Sequence, residues 1–332
     1  MDFFNLLEKL TEADGVSGDE NAVCEIIAAE FPDCKTTINN GNLVVNLNEI
    51  NPQKKTVLID AHIDRIGFIV TQITENGFLR VGNIGKTDMR ILPASRVFVG
   101  KKRLPGIICT KPPHLFDKDA KPLEISDILI DIGMDKASSE REISVGDRVL
   151  LHEKCTRLAD DIVAASALDN RAGAAAVILA GKNILAGNFD KYNVVLLFSS
   201  CEEVTERGAI IGAFNINPDI ALVVDVTFAK THGENELCGR TRGGVMVGFS
   251  ASLDADLSRE IMTVAKKEKI PIQVEVMPQK TGTNADVITI SRGGVRASTL
   301  SIPIKFMHTQ SETVSLFDIE KTALLITKFC EE

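Results

Sequence analysis

The chain has 332 residues, 44% of them hydrophobic and 25% charged, and a formal net charge of −9. That is enough apolar material for one large domain or two smaller ones. The acidic balance without a basic run excludes a nucleic-acid footprint, and no apolar run approaches the roughly 20 residues of a membrane span.

The opening MDFFNLLEKLTEADG lacks the basic-then-apolar order of a signal peptide. It reads instead as an amphipathic helix with Phe3, Leu6, Leu7 and Leu10 on one face. The turn GVSGDE follows, and Ser17 or Asp19 is expected to cap a second helix carrying Val23, Ile26 and Ile27. VVNLNEI, the polar turn NPQKK and TVLIDAHID then read as strand, turn and buried strand. From about residue 71 to about 157 the texture changes. GFLRVG, RILPASRVFVG, LPGIICT and GDRVLLHE are short β-like runs separated by Gly, Pro and Asp, as in a small all-β unit.

Long elements then return. SALDNRAGAAAVILAGKNIL is a helix, NVVLLFSS and IALVVDVTF are buried strands, and DADLSREIMTVAKKEK is a helix. RASTLSIPI is a strand and DIEKTALLITKF a closing helix. Strands alternating with helices predict an α/β fold with a mostly parallel sheet flanked by helices. The expected organisation is a domain in two pieces, 1–70 and 158–332, interrupted by a β-rich insert at 71–157. Seven scattered cysteines without a C-x-x-C read as reduced thiols, hence a cytoplasmic protein.

In open α/β sheets ligands bind beyond the carboxyl ends of the strands. The polar groups that follow apolar runs here are His62 and Asp64, Asp169 at the mouth of a helix, the pair Glu202–Glu203, Asp225, and His308. Each alone reads as a turn, cap or surface residue. Together, two imidazoles and several carboxylates are an N/O ligand set suited to Zn, Co or Mn. A pair of metals about 3.5–4 Å apart needs a bridging carboxylate and terminal ligands on each ion. Asp169 can bridge, His62 and Asp225 can serve one ion, and Glu203 and His308 the other. Glu202 is left over as a general base. Asp64 reads as the acceptor that fixes the His62 tautomer. His114, His152 and His232 read as structural or surface residues.

These residues are carried by GVSGDE, DAHIDRIGF, IDIG with VGDRV, ALDNRAG, CEEVTERGA, VVDVT, KTGTNAD and IPIKFMHTQSETV. In that order and spacing they resemble the tetrahedral aminopeptidase family of co-catalytic metallopeptidases, which includes glutamyl aminopeptidases and proteins labelled cellulase M. The resemblance implies His62, Asp169, Glu203, Asp225 and His308 as ligands of two divalent ions, Zn or Co, with Glu202 as base and Asp64 beside His62. It implies removal of N-terminal residues from short peptides with a free N-terminus. It also implies a barrel-like insert used in assembly or as a lid, and a homo-oligomer, either a dimer or a tetrahedral dodecamer.

The chain departs from the family's usual pattern at Arg65, at Thr205-Glu206-Arg207-Gly208 and at Lys305-Phe306. Arg65 and Lys305 bring positive charge toward the expected pocket and would favour an acidic N-terminal residue, unless Arg65 pairs with a local carboxylate. Three rival readings remain: a glycoside hydrolase working with two carboxylates and no metal, a metal-stabilised scaffold without activity, and a metal-dependent deacylase on the same fold.

Overall fold

The computed structural model describes residues 3–110, 123–187, 189–231 and 238–332. Helices α1 (Phe3–Glu12) and α2 (Asn21–Ala28) precede strands β1 (Lys35–Asn39), β2 (Asn42–Asn46) and β3 (Thr56–His62). Next come β4 (Gly67–Ile73), β5 (Leu79–Ile84), β6 (Arg96–Val99), β7 (Leu104–Cys109), β8 (Leu129–Asp131), α3 (Lys136–Glu142) and β9 (Arg148–Leu151). The chain continues through β10 (Thr156–Arg157), β11 (Ile162–Ala165), α4 (Leu168–Ala186), β12 (Asn193–Ser199), α5 (Glu202–Thr205), α6 (Arg207–Ile216) and β13 (Ile220–Phe228). It ends with β14 (Val245–Ser250), α7 (Ala255–Lys267), β15 (Ile272–Met277), α8 (Ala285–Ile288), β16 (Arg296–Lys305), β17 (Glu312–Ser315) and α9 (Leu316–Glu331).

Among the described residues the large sheet has eleven strands. Its middle is parallel, in the order β12-β3-β13-β16, with β14 and β15 as a parallel pair joined antiparallel to β16. Both flanks are antiparallel, through β1-β2 on one side and β17-β11-β10 on the other. The middle strands are apolar on both faces because both faces are covered. Val57, Ile59 and Ala61 of β3 join Val194, Leu196, Leu222 and Val224 in a core shared with α1, α4 and α9. Leu58, Leu197, Ala221 and Val223 point the other way, onto Ala209 and Ala213 of α6 and Ala285 and Ile288 of α8. Helix α4 lies close to the sheet through a run of small residues. A Cβ at Gly181 would stand 2.8 Å from Leu196 Cδ1.

Strands β4-β5-β8-β7-β6-β9 close into a barrel, which leaves no free edge. Phe68, Val70, Leu79, Val97, Ile130 and Val149 fill it. Its first strand already begins at Gly67, and Thr156–Arg157 pairs with β11 in the large sheet rather than with the barrel.

The expected cap of the second helix is not formed. The residue before α2 is Glu20, which makes no side-chain cap, and Ser17 is turned toward Asp64 instead. A buried carboxylate from the segment after β3 outcompetes the local N–H groups for this hydroxyl. Strands β14 (VMVGFS, its first four residues buried) and β15 (IQVEVM, alternating apolar and polar) complete the sheet beside β16. No helix among the described residues is long and apolar enough to cross a membrane.

Candidate active site

Three neighbouring parallel strands end at one edge of the sheet, and each delivers polar groups there. His62 is the last residue of β3, and Asp225 lies near the end of β13. After β12 the chain reverses at Cys201, whose left-handed backbone (φ 56) starts the single turn α5 carrying Glu202 and Glu203. Gly208 lets the next helix return against the strand end, since a Cβ there would lie 2.3 Å from the Ser200 backbone. Ala167 (φ 59), just before Asp169, and His308 (φ 62) are left-handed as well. Non-glycine residues in this region cost about 1 kcal/mol or more each and cluster at functional sites.

Two buried carboxylates hold these turns from behind. Asp64 Oδ1 accepts the Glu202 N–H at 2.9 Å, and Oδ2 accepts the Glu203 N–H at 3.2 Å and the Ser17 hydroxyl at 2.6 Å. Both glutamates are thereby aimed at the cavity. Glu312 makes the matching bridge. Its Oε2 accepts the Asp169 N–H at 3.0 Å and its Oε1 the His308 N–H at 2.9 Å.

The side chains then converge. His62 Nε2 stands 3.2 Å from Asp169 Oδ1, 3.6 Å from Asp225 Oδ1 and 3.9 Å from Glu202 Oε2. His308 Nε2 stands 3.2 Å from Asp169 Oδ2 and 3.7 Å from Glu203 Oε2. Asp169 therefore faces one imidazole with each oxygen. Two groups able to hold a cation result, His62 with Asp169 and Asp225, and Asp169 with Glu203 and His308. Glu202 belongs to neither. On the other side of the His62 ring, Nδ1 is 3.4 Å from Asp64 Oδ1.

Burial governs the titration of this cluster. It pushes Glu202 up to about 8 and Glu203 well above the usual carboxylate range. Burial also raises Asp225. Burial opposes the His62 imidazolium, but Glu202, Asp169, Asp225 and Asp64 around it outweigh that and hold its proton well above the ordinary histidine value. Burial likewise opposes ionisation of Asp169, and its two imidazole partners still lower it. Four carboxylates thus crowd two imidazoles, and Glu203 Oε1 is buried without a hydrogen-bond partner. Hard oxygen and imidazole donors with negative charge to spare fit divalent cations.

In front of the groups lies a cavity of about 450 Å³, lined also by Thr227, Phe228, Glu275, Met277 and, from the segment after β5, Lys86. All seven residues singled out in the sequence thus meet at one sheet edge, five of them in the two cation-holding groups. His152 lies elsewhere, its ring centroid 4.6 Å from that of Phe98. His114 and His232 fall outside the described residues. Arg65 does not reach the cavity. It is 4% exposed and donates to the carbonyls of Leu151 at 2.7 Å and Thr11 at 3.4 Å. Lys305 does not line the cavity either. The expected positive charge for an acidic substrate residue is therefore absent from these positions, because Arg65 turns back under the barrel. The residues that sequence reasoning missed are Ser17, Glu312 and Glu275. The sequence marks Glu312 only as the polar residue of a strand start, SETV.

Aminopeptidases are among the solved structures that share this plan. The aminopeptidase APDkam598 of the archaeon Desulfurococcus kamchatkensis superposes with a TM-score of 0.91 at 29% identity, over 99% of this chain and 94% of its own. The TET1 peptidase of Pyrococcus horikoshii, described as assembling into a tetrahedron or a large octahedral shell, superposes with a TM-score of 0.88 at 30% identity over the whole of both chains. In sequence, the lysyl aminopeptidase of Pyrococcus furiosus is 31% identical over 99% of this chain and 97% of its own length. The chain belongs to the M42 glutamyl aminopeptidase family, whose model matches residues 41–325.

Proposed function

We propose that this aminopeptidase-family chain removes N-terminal residues from short unblocked peptides with the help of two divalent cations, zinc or cobalt. One observation carries the reading. Asp169 is shared by two imidazole–carboxylate groups, and a further carboxylate, Glu202, stands beside them in neither. His62 and Asp225 would hold one ion, Glu203 and His308 the other, and Asp169 both. The pair would supply Lewis-acid polarisation of the scissile carbonyl and a water of lowered pKa.

The protein's own groups do the rest. Glu202, buried and kept basic, takes a proton from the attacking water on its carboxylate and passes it to the leaving amine. Asp64 sets the orientation of the turn that presents Glu202 and Glu203, and it faces the second nitrogen of His62. The cavity of about 450 Å³ has room for a few residues of substrate. The β-rich insert at 71–157 is proposed as an assembly or lid unit, since Lys86 from its barrel lines the cavity. A homo-oligomer, dimer or dodecamer, in the cytoplasm is the proposed setting. The shell-forming P. horikoshii relative supports the assembly part of that reading.

The test is release of amino acids from a panel of unblocked dipeptides to tetrapeptides, before chelation, after it, and after zinc or cobalt is restored. Trimming that follows the metal is expected. Cleavage of acylated amino acids with no trimming would replace this reading with a deacylase. Activity that survives chelation would point to metal-free carboxylate chemistry.

A further inference from the structure

Among the described residues five carboxylates line the cavity, and four of them crowd the two imidazoles. The fifth, Glu275 of β15, stands apart. Its Oε1 accepts the Thr227 hydroxyl and its Oε2 accepts the Ser301 hydroxyl at 2.7 Å. These two bonds fix the carboxylate in one orientation and use only part of its acceptor capacity. Among the described residues no cationic side chain accompanies it, and the neighbouring charge that acts on it is Asp225. Lys86 also lines the cavity, but it forms no ion pair with Glu275, and Gly85 just before it packs beside Glu203.

The register places Glu275 relative to the reacting end of a substrate. Thr227 is two residues beyond Asp225 on the same strand, a step of about 7 Å on one face. Ser301 is the partner of Asp225 across the β13–β16 pair. Glu275 therefore lies about one side-chain length from the end of the site where Asp225 sits. An aminopeptidase holds the α-amino group beside its catalytic carboxylates, so the side chain of the first residue projects into the cavity. Met277 and Phe228 line the same cavity and offer apolar surface to methylene groups. Glu275 is half-buried, so its charge is partly desolvated without a cation beside it, and a cation supplied by the substrate offsets that cost.

We propose that Glu275 is a specificity-determining residue that selects peptides with an N-terminal lysine or arginine, whose cationic head it receives. The inference rests on the aminopeptidase reading above. An N-terminal glutamate would place a second carboxylate against Glu275, and an aliphatic residue would leave it unpaired.

The experiment measures kcat/KM of the metal-loaded protein on matched peptides beginning with Lys, Arg, Leu or Glu. The same series is run on Glu275→Gln, which keeps the size of the side chain, and on Glu275→Lys. The wild type is expected to prefer Lys and Arg to Leu, with Glu the poorest. Glu275→Gln should lower the Lys-to-Leu ratio by about tenfold to a hundredfold, and Glu275→Lys should move the preference toward Glu. A wild type that prefers Leu overturns the inference and leaves the aminopeptidase reading standing. So does an equal fall on every peptide in Glu275→Gln with the ratio unchanged. No release from any peptide under any metal overturns both.

Discussion

Asp64 and Glu312 lie just behind the candidate site; Asp169, Glu202, Glu203 and Asp225 lie in it. Both sets are carboxylates drawn to one sheet edge, yet they are satisfied differently. Each oxygen of Asp64 and Glu312 accepts at least one N–H or O–H from the protein itself. Apart from the Val226 N–H that Asp225 Oδ1 accepts, the front set faces imidazoles and other carboxylates, and Glu203 Oε1 faces no donor at all. A buried acceptor is stable when its donors are built in and costly when they are not. The rear set is therefore complete in the protein alone and serves to aim backbone segments. On the proposed reading, the front set would be completed by cations from outside.

The largest effect expected from this division is kinetic. Glu202→Gln should lower kcat by about 10²–10⁴-fold while the thermal midpoint and bound-metal content stay near wild type, as read by calorimetry and metal analysis. Metal loss in this variant would move Glu202 into the ligand set and break the proposed division of roles.

Next is the rear layer. Glu312→Ala strands two buried N–H groups, at Asp169 and His308. A cost of about 2–5 kcal/mol is expected, measurable by denaturant unfolding, together with weaker metal retention. Glu312→Gln should fall between, since an amide can accept from one N–H and must turn its NH₂ toward the other. If Glu312→Ala matches wild type in both stability and metal content, the bridge between the two segments has no function.

The third effect is smaller and concerns pH. Burial raises Glu202 and Glu312 to about 8 and Asp60 to about 7. Between their unfolded values near 4 and these folded values, the native protein binds more protons than the unfolded chain. His62, held above its ordinary value, acts in the same direction, because its contribution is lost as pH rises through the folded value. The metal-free protein should therefore lose thermal stability as pH rises from about 5 to about 8. Divalent cations, which bind the ionised forms, should remove or reverse that slope. Melting curves with chelator and with zinc across this range decide it. A metal-free protein that gains stability toward pH 8 would contradict the assignment of the front layer.

Much of this was legible before any coordinates. The helices and the middle strands follow from apolar periodicity, which depends only on near neighbours. The seven site candidates could be read because each follows a long apolar run, and in an α/β sheet such runs end at the same edge. The flanking strands were less visible because several are only two to five residues long.

What the sequence determined by itself, then, was the α/β plan, the edge of the sheet that matters, and which residue types reach it. The tertiary structure alone decided their mutual facing. Glu312 meets the N–H of a residue 143 positions away, Ser17 meets Asp64 across 47, and Ser301 meets Glu275 across 26. It also turned Arg65 away from the cavity that its position seemed to address. Side-chain direction and long-range pairing are set by the packing of distant strands and turns, and no local pattern encodes them.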